Sequence, residues 1–234
     1  MGIMTMISGK LHSVRARIDA ACLAAGRDPR EVRLLAVSKT FAAPVLREAC
    51  AAGQTAFAEN YVQEALEKMA ALRDLPIEWH CIGPIQSNKT RMIAENFAWV
   101  HSVDRLRIAE RLSAQRPGSL PPLQVCLQVN IDGGPSKSGV APLDAAELAC
   151  AIAVLPGLRL RGLMSIPEPS ADFAATLALH RSARALFEQL KALLPGLDTL
   201  SLGMSADLEA AVHAGSTMVR VGSALFGGRS KPFP

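Results

Sequence analysis

A lysine closes the stretch "LLAVSKT" at residues 34–40, directly after a run suited to a buried strand. Strand alternation aims Leu35, Val37 and Lys39 at one face and Leu34, Ala36 and Ser38 at the other. Lys39 has two readings: a side chain that snorkels to water from a strand end, or an amine partly withdrawn from water. In the second, burial and a nearby cation lower the lysine pKa and free the neutral amine that a Schiff base needs. Near the other end of the chain, "STMVRVGSALFG" (216–227) puts Met218 and Arg220 on one face of a strand, with Val219 and Val221 on the other. An inward guanidinium needs an acceptor, for which a structural ion pair would serve as well as a ligand. Directly after it, Gly222 and Ser223 are placed to open a short helix. Its first N–H groups, a glycine that permits close approach and a hydroxyl make a phosphate cup. "LSLGMSADLEAAVHAG" supplies a second half: Ser201 and Gly203 precede a helix start with Ser205 as its N-cap and Asp207 in its first turn, and Gly215 follows the last turn.

These residues depend on the elements that carry them. Strand-like runs at 32–38, 55–59, 77–82, 98–103, 123–131, 158–164, 198–202 and 217–221 alternate with helical stretches near 43–52, 61–72, 88–95, 104–115, 142–154, 172–193 and 205–214. A further helix precedes them at 5–25, with Ile7, Leu11, Val14, Ile18 and Cys22 at helical intervals and Gly26 as its stop. The cadence predicts an α/β protein: a single (β/α)8 TIM barrel with an extra N-terminal helix, one domain over residues 1–234, in preference to an open sheet. Function in a barrel collects at the C-terminal ends of the strands. Lys39, Asn60, "GPIQSNK", Asn130, Met164, "SLGMS" and "RVGS" all fall there. The two Ser/Gly segments follow strands seven and eight, where barrels often bind phosphate.

Composition narrows the function classes. The net charge of +4 comes from 25 basic and 21 acidic residues scattered along the chain, which argues against a nucleic-acid or anionic-membrane partner. One Tyr and two Trp offer few platforms for stacking single-stranded bases. No apolar run approaches the ~18 residues of a transmembrane helix, and the basic residues of the N-terminus follow its apolar stretch, unlike a signal peptide. Five cysteines, an odd number without a C-x-x-C pair, read as free thiols of a reducing cytosol. His12, His101, His180 and His213 have no spacing suited to a metal, and no Ser–His–Asp motif or Walker loop is present. His80 shares its face with Glu78 and Ile82 and, taken alone, is a core histidine. The fifth strand, "LQVCLQVNI", turns Gln124, Cys126, Gln128 and Asn130 to one face. That face is either a ligand-lined barrel mouth or the wet side of an antiparallel strand. Lys137, in the loop "GGPSKSG", is either solvated or part of a lid.

The strings "LLAVSKT", "AENYVQEALEK", "EWHCIGPIQSNK", "SVDRLRIAERL", "KSGV", "LRLRGLMSIP", "LSLGMSADLEAA" and "GSTMVRVGSALFG" resemble the pyridoxal phosphate homeostasis protein family over nearly all of residues 10–229. The resemblance implies the barrel of bacterial alanine racemase and pyridoxal 5'-phosphate as the cofactor. It makes Lys39 the aldimine lysine, sets Arg220 against the pyridine nitrogen, and gives the phosphate to Ser201, Gly222 and Ser223 with help from Ser205. It lines the ring with Asn60 and Met164 and adds His80 to the cofactor-binding set. The match departs at Ala58, where the family reads Gly, and the extra methyl is expected to crowd its strand. Alanine racemase adds a β domain and a tyrosine acid/base. Here the only tyrosine is Tyr61 and the chain ends at Pro234. The implied function is intracellular homeostasis of the cofactor in the cytoplasm, by binding, storage or delivery through the lysine aldimine, with effects on vitamin B6 and amino-acid balance. Expected partners are the cofactor and the apo-enzymes that accept it, with no nucleic acid and no membrane, and the chain is expected to be a monomer or weak dimer. Two alternatives stand: a racemase-like pyridoxal phosphate enzyme acting on an amino acid, and a barrel enzyme for another phosphate ester.

Overall fold

Strands buried on both faces read as short, nearly continuous apolar runs, and eight such runs organise this chain. The computed structural model describes residues 6–134, 138–168 and 172–228; Lys137 and Pro234 lie outside them. The strands are β1 (Arg33–Val37), β2 (Ala56–Glu59), β3 (Glu78–Cys81), β4 (Trp99–Val103), β5 (Leu123–Gln128), β6 (Leu158–Met164), β7 (Thr199–Ser201) and β8 (Met218–Val221). They close in sequence order into one parallel barrel. The seam pairs β1 with β8, Arg33 opposite Met218 and Leu35 opposite Arg220. The helices are α1 (Met6–Ala24), α2 (Ala43–Ala51), α3 (Val62–Ala71), α4 (Thr90–Asn96), α5 (Leu106–Gln115), α6 (Ala145–Ala153), α7 (Phe173–Leu193), α8 (Leu208–His213) and α9 (Ser223–Phe226).

The strand pleat divides the core in two. Outward residues such as Phe57, Val100, Leu127, Leu163 and Val219 pack under the helices in one large cluster. Inside the barrel, Leu35, Ala56, Ala58 and Met218 form one small apolar cluster, and Trp99, Cys126 and Met164 form another. Ala58 packs in the first of these with no exposed surface, and β1 and β2 keep their register beside it, Val37 opposite Ala58. The helix α1 buries Leu11, Val14 and Ile18 and packs on α2, α8 and α9, covering the seam.

Two sequence expectations shift. The strand β5 ends at Gln128 rather than 131, because Val129 bridges to Val140 and the Asn130 N–H donates to the Val140 carbonyl. The side-chain amides of Gln128 and Asn130 donate to the carbonyls of Ser138 and Gly134. The polarity of this strand end therefore serves its own loop. Ser205 does not cap α8, which begins at Leu208 with Asp207 at the N-cap position. All five cysteines are free, and no helix among the described residues is long and apolar enough to cross a membrane.

Candidate functional site

A cavity of 450 Å³ opens at the C-terminal ends of the strands, within the range of small-ligand sites. Clefts of 330 and 530 Å³ lie at the opposite, N-terminal end of the strands, where a barrel carries stability and not chemistry. The mouth cavity brings together Lys39, Asn60, Ser205, Arg220, Gly222 and Ser223, with Val37, Ile82 and Ile166 as apolar wall. Arg220 is 3% exposed. Its Nη1 donates to the carbonyl and hydroxyl of Ser201 at 2.6 and 2.8 Å, and its Nη2 donates to the Ser165 carbonyl at 3.0 Å. Burial pushes its pKa down to about 10, which leaves it charged at neutral pH. Its acceptors are thus neutral oxygens, and its charge remains available to the cavity.

Lys39 is aimed by what flanks it. The Ser38 side chain points away from the cavity, toward the helix layer. The Ser38 hydroxyl donates to Glu59 at 2.6 Å, and the Thr40 N–H donates to Glu64 at 2.6 Å. Lys68 ties the two carboxylates together and donates to the Ser38 carbonyl at 2.8 Å. All three charged side chains are buried. Burial raises the Glu59 pKa, with Lys68 opposing. Thr40 itself has φ +70°, a left-handed conformation that costs a β-branched residue of order 1–3 kcal/mol and persists only when its surroundings dictate it. The carboxylate on its N–H is such a surrounding. Sequence inspection missed this clamp. The one signal was Glu64 and Lys68, four residues apart on the face of α3 that also carries the buried Ala65.

The other half of the mouth has its own brace. Asp207 accepts the Met204 N–H at 2.6 Å and a ring nitrogen of His180 at 2.9 Å, which shapes the loop that carries Ser205. Burial raises the Asp207 pKa, but the bonds from His180 and Met204 outweigh it and hold the carboxyl below its ordinary value. The Ser205 hydroxyl accepts the Ala224 N–H at 3.4 Å. Phe41 packs its ring 5.0 Å from Phe226, joining the Lys39 loop to α9.

Three expected site residues lie beneath the cavity and do not line it. Ser201 is fully buried, its hydroxyl engaged by Arg220 and by His101 at 3.1 Å. Met164 is buried in the interior cluster with Trp99 and Cys126. His80, fully buried, bonds Glu78 at 2.7 Å and His101 at 2.9 Å. It lies a layer down because β3 turns inward at His80 and again only at Ile82, which is the residue that reaches the wall.

Residues 10–230 match the family model described as "Alanine racemase, N-terminal domain". The "Pyridoxal phosphate homeostasis protein" of Pseudomonas aeruginosa is 61% identical over 231 residues, 99% of each chain. The chain belongs to the pyridoxal phosphate homeostasis protein family. The Escherichia coli member of that family is 52% identical over 229 residues, 97% of this chain and 98% of its own. Among solved structures, PipY of Synechococcus elongatus with PLP bound is 40% identical. It matches with a TM-score of 0.84 over 95% of this chain and 100% of its own.

Proposed function

We propose that this chain binds pyridoxal 5'-phosphate at the barrel mouth and serves its homeostasis by holding and releasing it. The observation that carries the reading is the convergence, on one cavity, of an inward lysine, a charged arginine and a glycine-backed cup. A relative of 40% identity solved with PLP bound supports it.

The residues present fit the group. Asn60 Oδ1 is buried without a hydrogen-bond partner among the described residues and lines the cavity, so an acceptor stands ready for a ligand donor. A Cβ at Gly222 would stand 3.2 Å from the Val37 carbonyl oxygen and 3.3 Å from its Cβ; its absence keeps the cup open beside β1. When bound, the group supplies an aldehyde that condenses with a primary amine, forming a C=N bond and releasing one water. Lys39 provides the amine. The backbone and hydroxyl of Gly222 and Ser223, with Ser205, provide donors for phosphate oxygens. Arg220, which carries donors only, offers the ring nitrogen a hydrogen bond while keeping its own proton. Ser201, Met164 and His80 act from behind, as support for the wall.

A carrier, and not a racemase, is the role this site supports. Tyr61, the only tyrosine, is 55% exposed at the start of α3 and does not line the cavity, so the mouth holds no phenol as a second acid/base. We further propose that the chain acts as one domain in the cytoplasm, as a monomer or weak dimer, and passes the cofactor to apo-enzymes. Borohydride reduction of the loaded protein tests the site. The cofactor should be fixed on the peptide containing "AVSKT" and nowhere in a Lys39→Ala variant. Fixation on Lys89 or Lys137 in the unmodified protein would refute it.

A further inference from the structure

Beneath the cavity a file of hydrogen bonds crosses the barrel from one end to the other. Arg220 donates to Ser201, whose hydroxyl meets His101 Nδ1 at 3.1 Å. His101 Nε2 meets His80 Nδ1 at 2.9 Å, and His80 Nε2 meets Glu78 at 2.7 Å. Glu78 also takes Arg33 at 2.7 Å and is 34% exposed at the N-terminal mouth.

The two ends dictate where every hydrogen lies. Burial raises the Glu78 pKa, but the bond from His80 and the Arg33 guanidinium outweigh it and hold the carboxyl well below the ordinary carboxylate range. Glu78 therefore accepts, and His80 Nε2 carries a hydrogen. Burial lowers the pKa of both histidines, so His80 is neutral and its Nδ1 accepts from His101 Nε2–H. His101 Nδ1 then accepts from the Ser201 hydroxyl. From the other end, Arg220 has no acceptor atoms, so it must donate to Ser201. The Arg220 bond leaves the Ser201 hydroxyl hydrogen free for His101, so the file runs in one direction, from guanidinium to carboxylate. Aligned bonds of this kind polarise one another in a low-dielectric interior.

What packs on the file adds little competing charge. Trp99 of β4 stacks on His80 at 5.4 Å, and Arg161 of β6 lies over that indole at 4.9 Å. The Cys126 thiol of β5, pushed up to about 12 by burial, is neutral. Ala58 of β2 and Met218 of β8 are apolar. Arg33 of β1 is the neighbour that binds the carboxylate end.

We propose that Glu78, His80 and His101 are positioning residues that act on the cofactor from the far end of the barrel, through Ser201 and Arg220; this rests on the reading that Arg220 faces the bound ring. The negative end of the file moderates the positive potential that Arg220 presents to the cavity and fixes the direction of its guanidinium.

A pH titration of the visible absorption of the cofactor held at Lys39 tests the proposal. Glu78→Gln keeps an acceptor for His80 and removes the charge that polarises the file, so the bound group should lose its proton more easily and the midpoint should fall. His101→Phe, which cuts the file, should move the midpoint the same way. In a Ser201→Ala background the Glu78→Gln shift should shrink by at least half. Unmoved midpoints in Glu78→Gln and His101→Phe, with only a lower Tm, would make the file purely structural and overturn the proposal. The same result follows if the Ser201→Ala background leaves the shift intact. Borohydride labelling separates the two levels: label on Lys39 with unmoved midpoints sinks the file alone, and label elsewhere sinks the site with it.

Discussion

Lys68 holds the clamp behind Lys39, and Lys68→Met is the perturbation that exposes what the clamp does. Methionine keeps most of the volume but leaves Glu59 and Glu64 facing each other in the helix layer, each already with one oxygen lacking a hydrogen-bond partner. Removing one partner of a buried ionic group costs about 3–5 kcal/mol, because the remaining charge is neither solvated nor paired. For a chain of this size that is a fall in Tm of roughly 10 °C. The triple variant Glu59→Gln, Glu64→Gln, Lys68→Met keeps acceptors for the Ser38 hydroxyl and the Thr40 N–H without any charge, so it should lose less than the single change. The pH dependence carries a sign. Glu59 is raised by burial even with Lys68 present, and loss of the lysine raises it further. A carboxyl with a raised folded pKa favours folding below its unfolded value and loses that contribution as pH rises through the folded value. The deficit of Lys68→Met should therefore be small in acid and grow toward neutral pH. Thermal unfolding at a series of pH values reads all three effects. A Tm deficit independent of pH, or a triple variant worse than the single, would refute the charge account of the clamp.

Two shorter predictions concern the walls of the mouth. A Cβ at Gly83 would stand 2.2 Å from the Asn60 carbonyl oxygen, so Gly83→Ala must displace the β2 end and should cost about 1–3 kcal/mol by denaturant unfolding, with weaker cofactor retention on dialysis. Asp207 is depressed in the folded state, so its brace is fully present above the ordinary carboxylate pKa and is lost as pH falls through the depressed value; Asp207→Asn should flatten that acid limb in a Tm-versus-pH curve.

The barrel was legible because eight short strand-like runs, some apolar throughout and some alternating, are separated by helices of ordinary length. The inward faces of β1 and β8 follow from simple alternation, which is why the sequence alone brings Lys39 and Arg220 toward one site. Residues whose roles depend on register between strands were not legible. His80 and His101 are 21 positions apart, and only the lateral pairing of β3 with β4 brings their rings together. Glu59, Glu64 and Lys68 look like the solvated charges of a strand end and a helix surface; their burial follows from how α3 docks against the end of β1. The polar end of β5 misled for a related reason, since its amides turn back to a loop that alternation does not describe.

The seam between β1 and β8 also sets a schedule. Synthesis proceeds from the N-terminus, so Lys39 leaves the ribosome long before Arg220 and Gly222 exist. Until then its ammonium is one exposed amine among many, and an aldehyde has no reason to choose it. The strand β1 cannot find its partner, nor α1 the helices α8 and α9 that it covers, until the chain is nearly complete. Pairing of such remote segments is the slow, late event of folding. On the proposed reading, the protein therefore becomes selective for a single lysine only when its two ends meet.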